Sequence, residues 1–208
     1  MDFFEQIRQF DVILGSRSPR RKDLLAAAGI PFRCVVRETP EVFPVDMDPG
    51  EVVLLLCREK ARQFAGELQD PSAIVITADT IVVDRGAILN KPADSAGAFA
   101  MLKALSGRWH KVLTGVCISY GNRQHAFAET TEVYFRDLED WEIRHYVSQC
   151  KPFDKAGAYG IQEWIGYVGI GRLKGSYTNV VGLPVERVFS ELKKIVAAGY
   201  LRPRKIMM

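Results

Sequence analysis

No stretch of the 208-residue chain is apolar for long enough to span a bilayer as a helix, and the N-terminal MDFFEQIRQF carries acids where a secretory leader needs basic residues. The chain is therefore expected in the cytoplasm, with no membrane partner. Cysteine is scarce and scattered: Cys34, Cys57, Cys117 and Cys150 form no C-x-x-C pair, which excludes a zinc knuckle and a disulfide framework and predicts buried thiols. Histidine is limited to His110, His125 and His145, without metal-ligand spacing. No G-x-S-x-G elbow surrounds Ser16 or Ser18, so neither reads as a hydrolase nucleophile. An excess of one charge sign is missing as well. With 28 basic against 25 acidic residues the net charge is +3, too mild for a nucleic-acid coat, and no nucleic-acid partner is expected. The basic cluster Arg202-Pro203-Arg204-Lys205 lies at a chain end and reads as a solvated terminus. No internal repeat, heptad or low-complexity segment occurs.

What is present belongs to a globular α/β protein. Apolar residues make up 48% of the chain and charged ones 25%, enough to bury a core without metal or disulfide staples. The length suits one domain over residues 1–208, read as two lobes. Strands are predicted over 11–14, 32–36, 73–83, 87–89, 111–120, 126–135, near 167–173 and 178–181; helices follow Pro19, run from Glu51 to about Leu68, follow Lys91-Pro92 with Asp94 or Ser95 as cap, cover 139–148 and follow Pro184. The order is mixed, not strict βαβ alternation. Asp84-Arg85-Gly86 and Gly121-Asn122 read as hairpin turns.

Two features stand out. The turn Gly15 to Arg21, GSRSPRR, empties a strand into a helix whose N-cap is Ser18 and whose first residue is Pro19. Arg20 and Arg21 then stand at the positive end of the helix dipole, a conflict that a phosphate would relieve. The second is Asp79, a carboxylate inside AIVITADTIVV. Such a group is costly unless paired, hydrogen-bonded or metal-bound, so it is expected at a strand end or bulge. A turn-capping Asp beside Thr80 is the plainer alternative. With Arg20, Arg21, Lys91 and Glu41 of the acid-rich loop 38–50, Asp79 would complete a metal-assisted phosphate site. Taken singly, Lys60 reads as a solvated helix lysine and Gln162 as a loop amide.

GSRSPRR, Glu41, Arg58-Glu59-Lys60-Ala61, Ala78-Asp79-Thr80, Asn90-Lys91-Pro92, Leu105-Ser106-Gly107, the run Asp154 to Gln162 (DKAGAYGIQ), Gly175-Ser176-Tyr177 and Val181-Gly182-Leu183-Pro184 occur in the order found in the Maf family. The chain resembles that family over nearly its whole length. The resemblance implies an elongated α/β fold related to the inosine triphosphatases, with a mixed central sheet flanked by helices and a cleft between two lobes, commonly as a homodimer. It implies a nucleoside triphosphate pyrophosphatase that cuts between the α and β phosphates with a divalent cation (Mg²⁺, Mn²⁺ or Co²⁺), releasing the monophosphate and pyrophosphate. By the same resemblance Asp79 is the proton acceptor and Glu41 a carboxylate that holds metal or orients water, both being metal candidates, while Ser16, Arg21, Lys60 and Lys91 surround the phosphates. Arg20, Thr80 and Gln162 match positions associated with dTTP and UTP preference. The amide of Gln162 offers both a donor and an acceptor, as the O4 and N3–H edge of uracil or thymine requires. Glycine commonly follows this Gln in relatives, whereas Glu163 and Trp164 follow it here, a departure that bears on the base pocket. The alternative implied by the resemblance is a nucleotide-sensing regulator of septum formation or cell division.

Overall fold

The computed structural model describes residues 2–199. Arg202 to Lys205 therefore lie outside the described residues. The chain orders as α1 (Phe3–Ile7), β1 (Asp11–Leu14), α2 (Pro19–Ala27), β2 (Arg33–Cys34), α3 (Pro49–Arg62), β3 (Ala73–Asp84), β4 (Ala87–Leu89), α4 (Ser95–Leu105), β5 (Trp109–Tyr120), β6 (Arg123–Phe135), α5 (Asp140–Cys150), α6 (Trp164–Gly169), β7 (Ile170–Lys174), α7 (Tyr177–Val181) and α8 (Val185–Ala197). One seven-stranded sheet has the order β2-β1-β3-β5-β6-β7, with β4 pairing β3. β1 runs parallel to β2 and β3, whereas β3–β4 and β6–β7 are antiparallel, so the mixed α/β class read from the sequence holds. Among the described residues no helix is long and apolar enough to cross a membrane.

Two compact units divide the chain: Met1–Asp79 with Gly115–Ala128 and Gly182–Met208, and Thr80–Thr114 with Glu129–Val181. Each has its own apolar core. In the first, Val12, Leu14, Ile74, Ile76 and Ala78 pack with Leu25 of α2 and with Val188, Leu192 and Ile195 of α8. The opposite face of the same strands takes α3 and the turn after it, with Ile13 and Val75 against Phe64 and with Cys57, Ala61 and Cys117 in a neighbouring cluster. Residues on a strand alternate faces, so Val75, Thr77 and Asp79 share the α3 side. α3 lies unusually close to β5: a Cβ added at Gly115 would come 2.2 Å from the Val53 carbonyl oxygen.

The second unit is built around Val82, Leu102, Leu105, Phe135, Ile143, Tyr146 and Ile165. Burial in this core pulls the imidazole of His110 down from 6.5 to about 4. The unfolded chain therefore binds a proton near pH 6.5 that the fold refuses until about pH 4. Stability is expected to be flat above the higher value and to fall by about 3 kcal/mol across that window as pH drops. His110→Gln, which can keep a bond to the Tyr159 hydroxyl, should flatten this acid limb in urea titrations at stepped pH. An unchanged limb would assign it to other groups.

Several expectations need correction. β2 is two residues, not five, because only Arg33 and Cys34 pair with the short strand β1. α3 ends at Arg62, and Glu67–Gln69 forms a separate 3-10 turn. Residues 167–169 and 178–181 lie in the helices α6 and α7 where strands were expected; β7 begins at Ile170. α7 turns because the Ser176 hydroxyl accepts from the Asn179 amide while the buried Asn179 side chain donates to the Val112 carbonyl and the Thr131 hydroxyl. That is a tertiary requirement, which outweighs the β-branched composition. All four cysteines are free; Cys57 and Cys117 are buried as expected, but Cys34 is exposed and Cys150 half-buried.

Candidate active site

The GSRSPRR turn adopts the strand-to-helix geometry read from its sequence. Ser18 is the N-cap and Pro19 opens α2, but Ser18 makes no side-chain cap bond. Instead the buried Ser16 hydroxyl accepts from the Ser18 amide at 3.2 Å. Arg20 and Arg21 occupy the first turn of α2. The Arg21 guanidinium donates from Nε to the Gly182 carbonyl at 2.7 Å and from Nη1 to the Ala78 carbonyl at 2.8 Å. It thereby ties the start of α2 to the strand just before Asp79 and to the chain entering α8. Burial draws this guanidinium below its ordinary value, while the negative charge of Asp79 opposes that shift.

Asp79 is not at a strand end. It lies within β3 and is nearly buried. The carboxylate is tolerated there because Lys60 of α3 supplies a counter-ion: Lys60 Nζ pairs with Asp79 Oδ1 and also donates to Glu41 Oε1 at 3.0 Å. The meeting follows from two periodicities. Asp79 shares the strand face of Thr77, whose hydroxyl donates to the Cys57 carbonyl of α3 at 2.7 Å. Lys60 lies three residues beyond Cys57, less than one helical turn further along the same helix. Lys60 is thus not the solvated helix lysine of the plainer reading; its side chain is 18% exposed against 45% for Glu41. Two carboxylates and an ammonium converge at one point.

In the second unit, Thr80 follows Asp79 on β3 and shares a hydroxyl contact of 2.9 Å with Thr114, which donates to the Asn179 carbonyl at 3.0 Å. Thr114 therefore accepts from Thr80. Lys91 is exposed after β4. Gln162 stands immediately before Glu163, the N-cap of α6. Its Oε1 is buried and has no hydrogen-bond partner among the described residues. An orphaned buried acceptor is costly, and a ligand N–H at that position would remove the cost. The sequence reading missed Tyr146 and Lys155, which bind the segment around Gln162; Lys155 stands in the DKAGAYGIQ run, while Tyr146 carried no local signal.

Glu41 and Asp79 present hard oxygen donors, the type that a small divalent cation takes in ones and twos beside water and phosphate. Among the described residues no group of three or more His, Cys, Asp and Glu side chains is arranged to hold a metal ion.

Comparison with known proteins gives a consistent picture. This chain is similar to dTTP/UTP pyrophosphatases of Porphyromonas gingivalis (47% identity over 192 residues, 91% of this chain and 96% of the relative) and Cytophaga hutchinsonii (45% over 193 residues, 93% and 88%). That of Bacteroides thetaiotaomicron matches at 44% over 190 residues, 90% of this chain and 97% of the relative. The solved structure of the Staphylococcus aureus Ham1 protein aligns at a TM-score of 0.43 and 13% identity over 61% of this chain and 72% of that one, a likeness too loose to carry an argument. Residues 11–195 match the profile of the Maf-like proteins, and with relatives this similar over nearly its whole length the chain belongs to the Maf family.

Proposed function

We propose that the chain is a nucleoside triphosphate pyrophosphatase acting on dTTP and UTP, releasing the nucleoside monophosphate and pyrophosphate. Its relatives carry that name at 42–47% identity. Within the molecule, the observation that carries the reading is Lys60 holding Glu41 and Asp79 together. Hydrolysis needs a base for the attacking water and positive charge on the phosphate oxygens, and this cluster contains both kinds of group.

In the proposed reaction water attacks the α-phosphorus, its proton passes to Asp79, and the bond from the α-phosphorus to the bridging oxygen breaks, expelling pyrophosphate. Glu41 orients the water. Lys60, together with Ser16, Arg20, Arg21 and Lys91, offers donors and positive charge to the phosphates, which bring roughly four negative charges. A divalent cation held by Glu41 and Asp79 would draw charge from the phosphate oxygens, taking its remaining ligands from substrate and water. Arg21 has a structural duty as well, since its bonds to Ala78 and Gly182 hold the backbone next to Asp79.

Thr80 and Gln162 are assigned to the pyrimidine. Support for Gln162 comes from its orphaned buried Oε1, which fits the N3–H of uracil or thymine and finds no donor at N3 of cytosine. Pyrophosphate release from a panel of nucleoside triphosphates with Mg²⁺ or Mn²⁺ tests the activity: turnover of dTTP and UTP is expected, and tight binding without turnover would favour a sensor. Gln162→Ala should lower kcat/KM for dTTP relative to CTP by about tenfold or more, because an unmet hydrogen bond in a buried site discriminates strongly. An unchanged ratio would remove Gln162 from base recognition.

A further inference from the structure

Gln162 Oε1 is buried with no hydrogen-bond partner among the described residues, yet the backbone around it is pinned at every neighbouring residue. Tyr146 of α5 is fully buried, and its hydroxyl accepts from the Gly160 amide at 3.1 Å while donating to Glu163 Oε2. Burial first, and then the bond to the Glu163 carboxylate, hold this hydroxyl protonated well above its ordinary range, so it stays a donor. Glu163 Oε1 pairs with Lys155 Nζ at 3.0 Å, and the same ammonium, 9% exposed, pairs with Asp154 at 2.8 Å. Ile161 is buried, and α6 approaches its carbonyl so closely that a Cβ at Gly166 would lie 1.9 Å from the oxygen. Residues 160, 161 and 163 are thus fixed around a Gln162 side chain whose Oε1 still needs a donor.

A partly buried ion pair contributes little net stability over apolar packing, but with the buried Lys155 ammonium it favours one arrangement because displacement leaves that charge unpaired. We infer that Tyr146 and Glu163 are positioning residues for base selection, clamping the chain on both sides of Gln162 so that its amide is presented in one orientation. This rests on the reading of Gln162 as the base-recognising residue. Glu163, bonded to Tyr146 on one carboxylate oxygen and to Lys155 on the other, is then a working part of the specificity device. Preorganisation explains why it matters: a loosely held amide loses its advantage for the matching base edge before it loses the capacity to bind.

A double-mutant cycle on the whole chain tests this, with dTTP, UTP and CTP as substrates and pyrophosphate release as readout. Tyr146→Phe should lower the dTTP-to-CTP ratio of kcat/KM by about tenfold, mainly through KM for dTTP, with kcat reduced less than about threefold. In a Gln162→Ala background the same substitution should change the ratio by less than about twofold, since its effect passes through the missing amide. Glu163→Ala, at a half-exposed N-cap, should repeat the pattern and serves if Tyr146→Phe fails to fold. Equal losses on all nucleotides, or a ratio shift that persists undiminished without Gln162, would overturn the inference while leaving base recognition by Gln162 intact. A ratio unmoved by Gln162→Ala itself would overturn both.

Discussion

Asp79→Asn is expected to lower pyrophosphate release from dTTP by about 10²–10⁴-fold, the range for removing a positioned general base, while nucleotide binding is kept. The amide preserves the shape of the carboxylate but cannot take the proton of the attacking water. It also leaves Lys60 with Glu41 as its remaining carboxylate partner in the cluster, so the ammonium stays compensated. Binding by calorimetry and turnover by pyrophosphate detection separate the two effects. Glu41→Gln is the necessary companion, because Lys60 holds both carboxylates and either is near enough to the other's partner to compete for the role. If Glu41→Gln abolished turnover while Asp79→Asn left it largely intact, the assignments would be reversed. If neither mattered, the convergence on Lys60 would be structural, and the activity would have to come from elsewhere.

How far this cluster could be read from the chain alone depends on which of its contacts are periodic. The helix before Arg62 and the strand from Ala73 were legible from composition, and faces follow from helix and strand geometry once both elements are in place. Of the two placements expected for Asp79, a strand end or a bulge, the strand end failed for a definite reason. That expectation weighed the cost of a carboxylate among apolar neighbours without the counter-ion that a different element brings, and Lys60 is such a counter-ion. The same limit applies to Tyr146 and to the buried Lys155, whose partners become visible only when α5 and α6 are packed. The strand-to-helix turn at GSRSPRR was readable because its signals are local: a Ser, a Pro and two Arg within one helical turn. Even there, the hydroxyl that bonds the turn proved to be that of Ser16, and Arg21 proved to hold the backbone.

Gly166→Ala is expected to be among the most damaging single-methyl changes in the second unit, lowering stability by about 3 kcal/mol or more. The added Cβ would lie 1.9 Å from the Ile161 carbonyl oxygen and 2.5 Å from its carbon, positions that belong to backbone and cannot swing aside as a side-chain end could. Relief requires α6 to move off residue 161, which pulls against the Tyr146 bond to Gly160 and the Lys155 pair with Glu163. Residues 167–169 read as strand because their composition is β-rich, and Gly166 explains how a helix is accommodated instead: its bare Cα permits the close approach that packs Ile165 into the core. For a chain of this size the melting temperature should fall by about 6–12 °C. In protein that remains folded below that melt, the dTTP-to-CTP ratio should fall alongside, since the displaced segment carries Gln162. A full loss of stability with an unchanged ratio would show that the approach of α6 to Ile161 serves packing alone. An unchanged melt would show that the backbone at residue 161 yields more readily than its closeness to Gly166 implies.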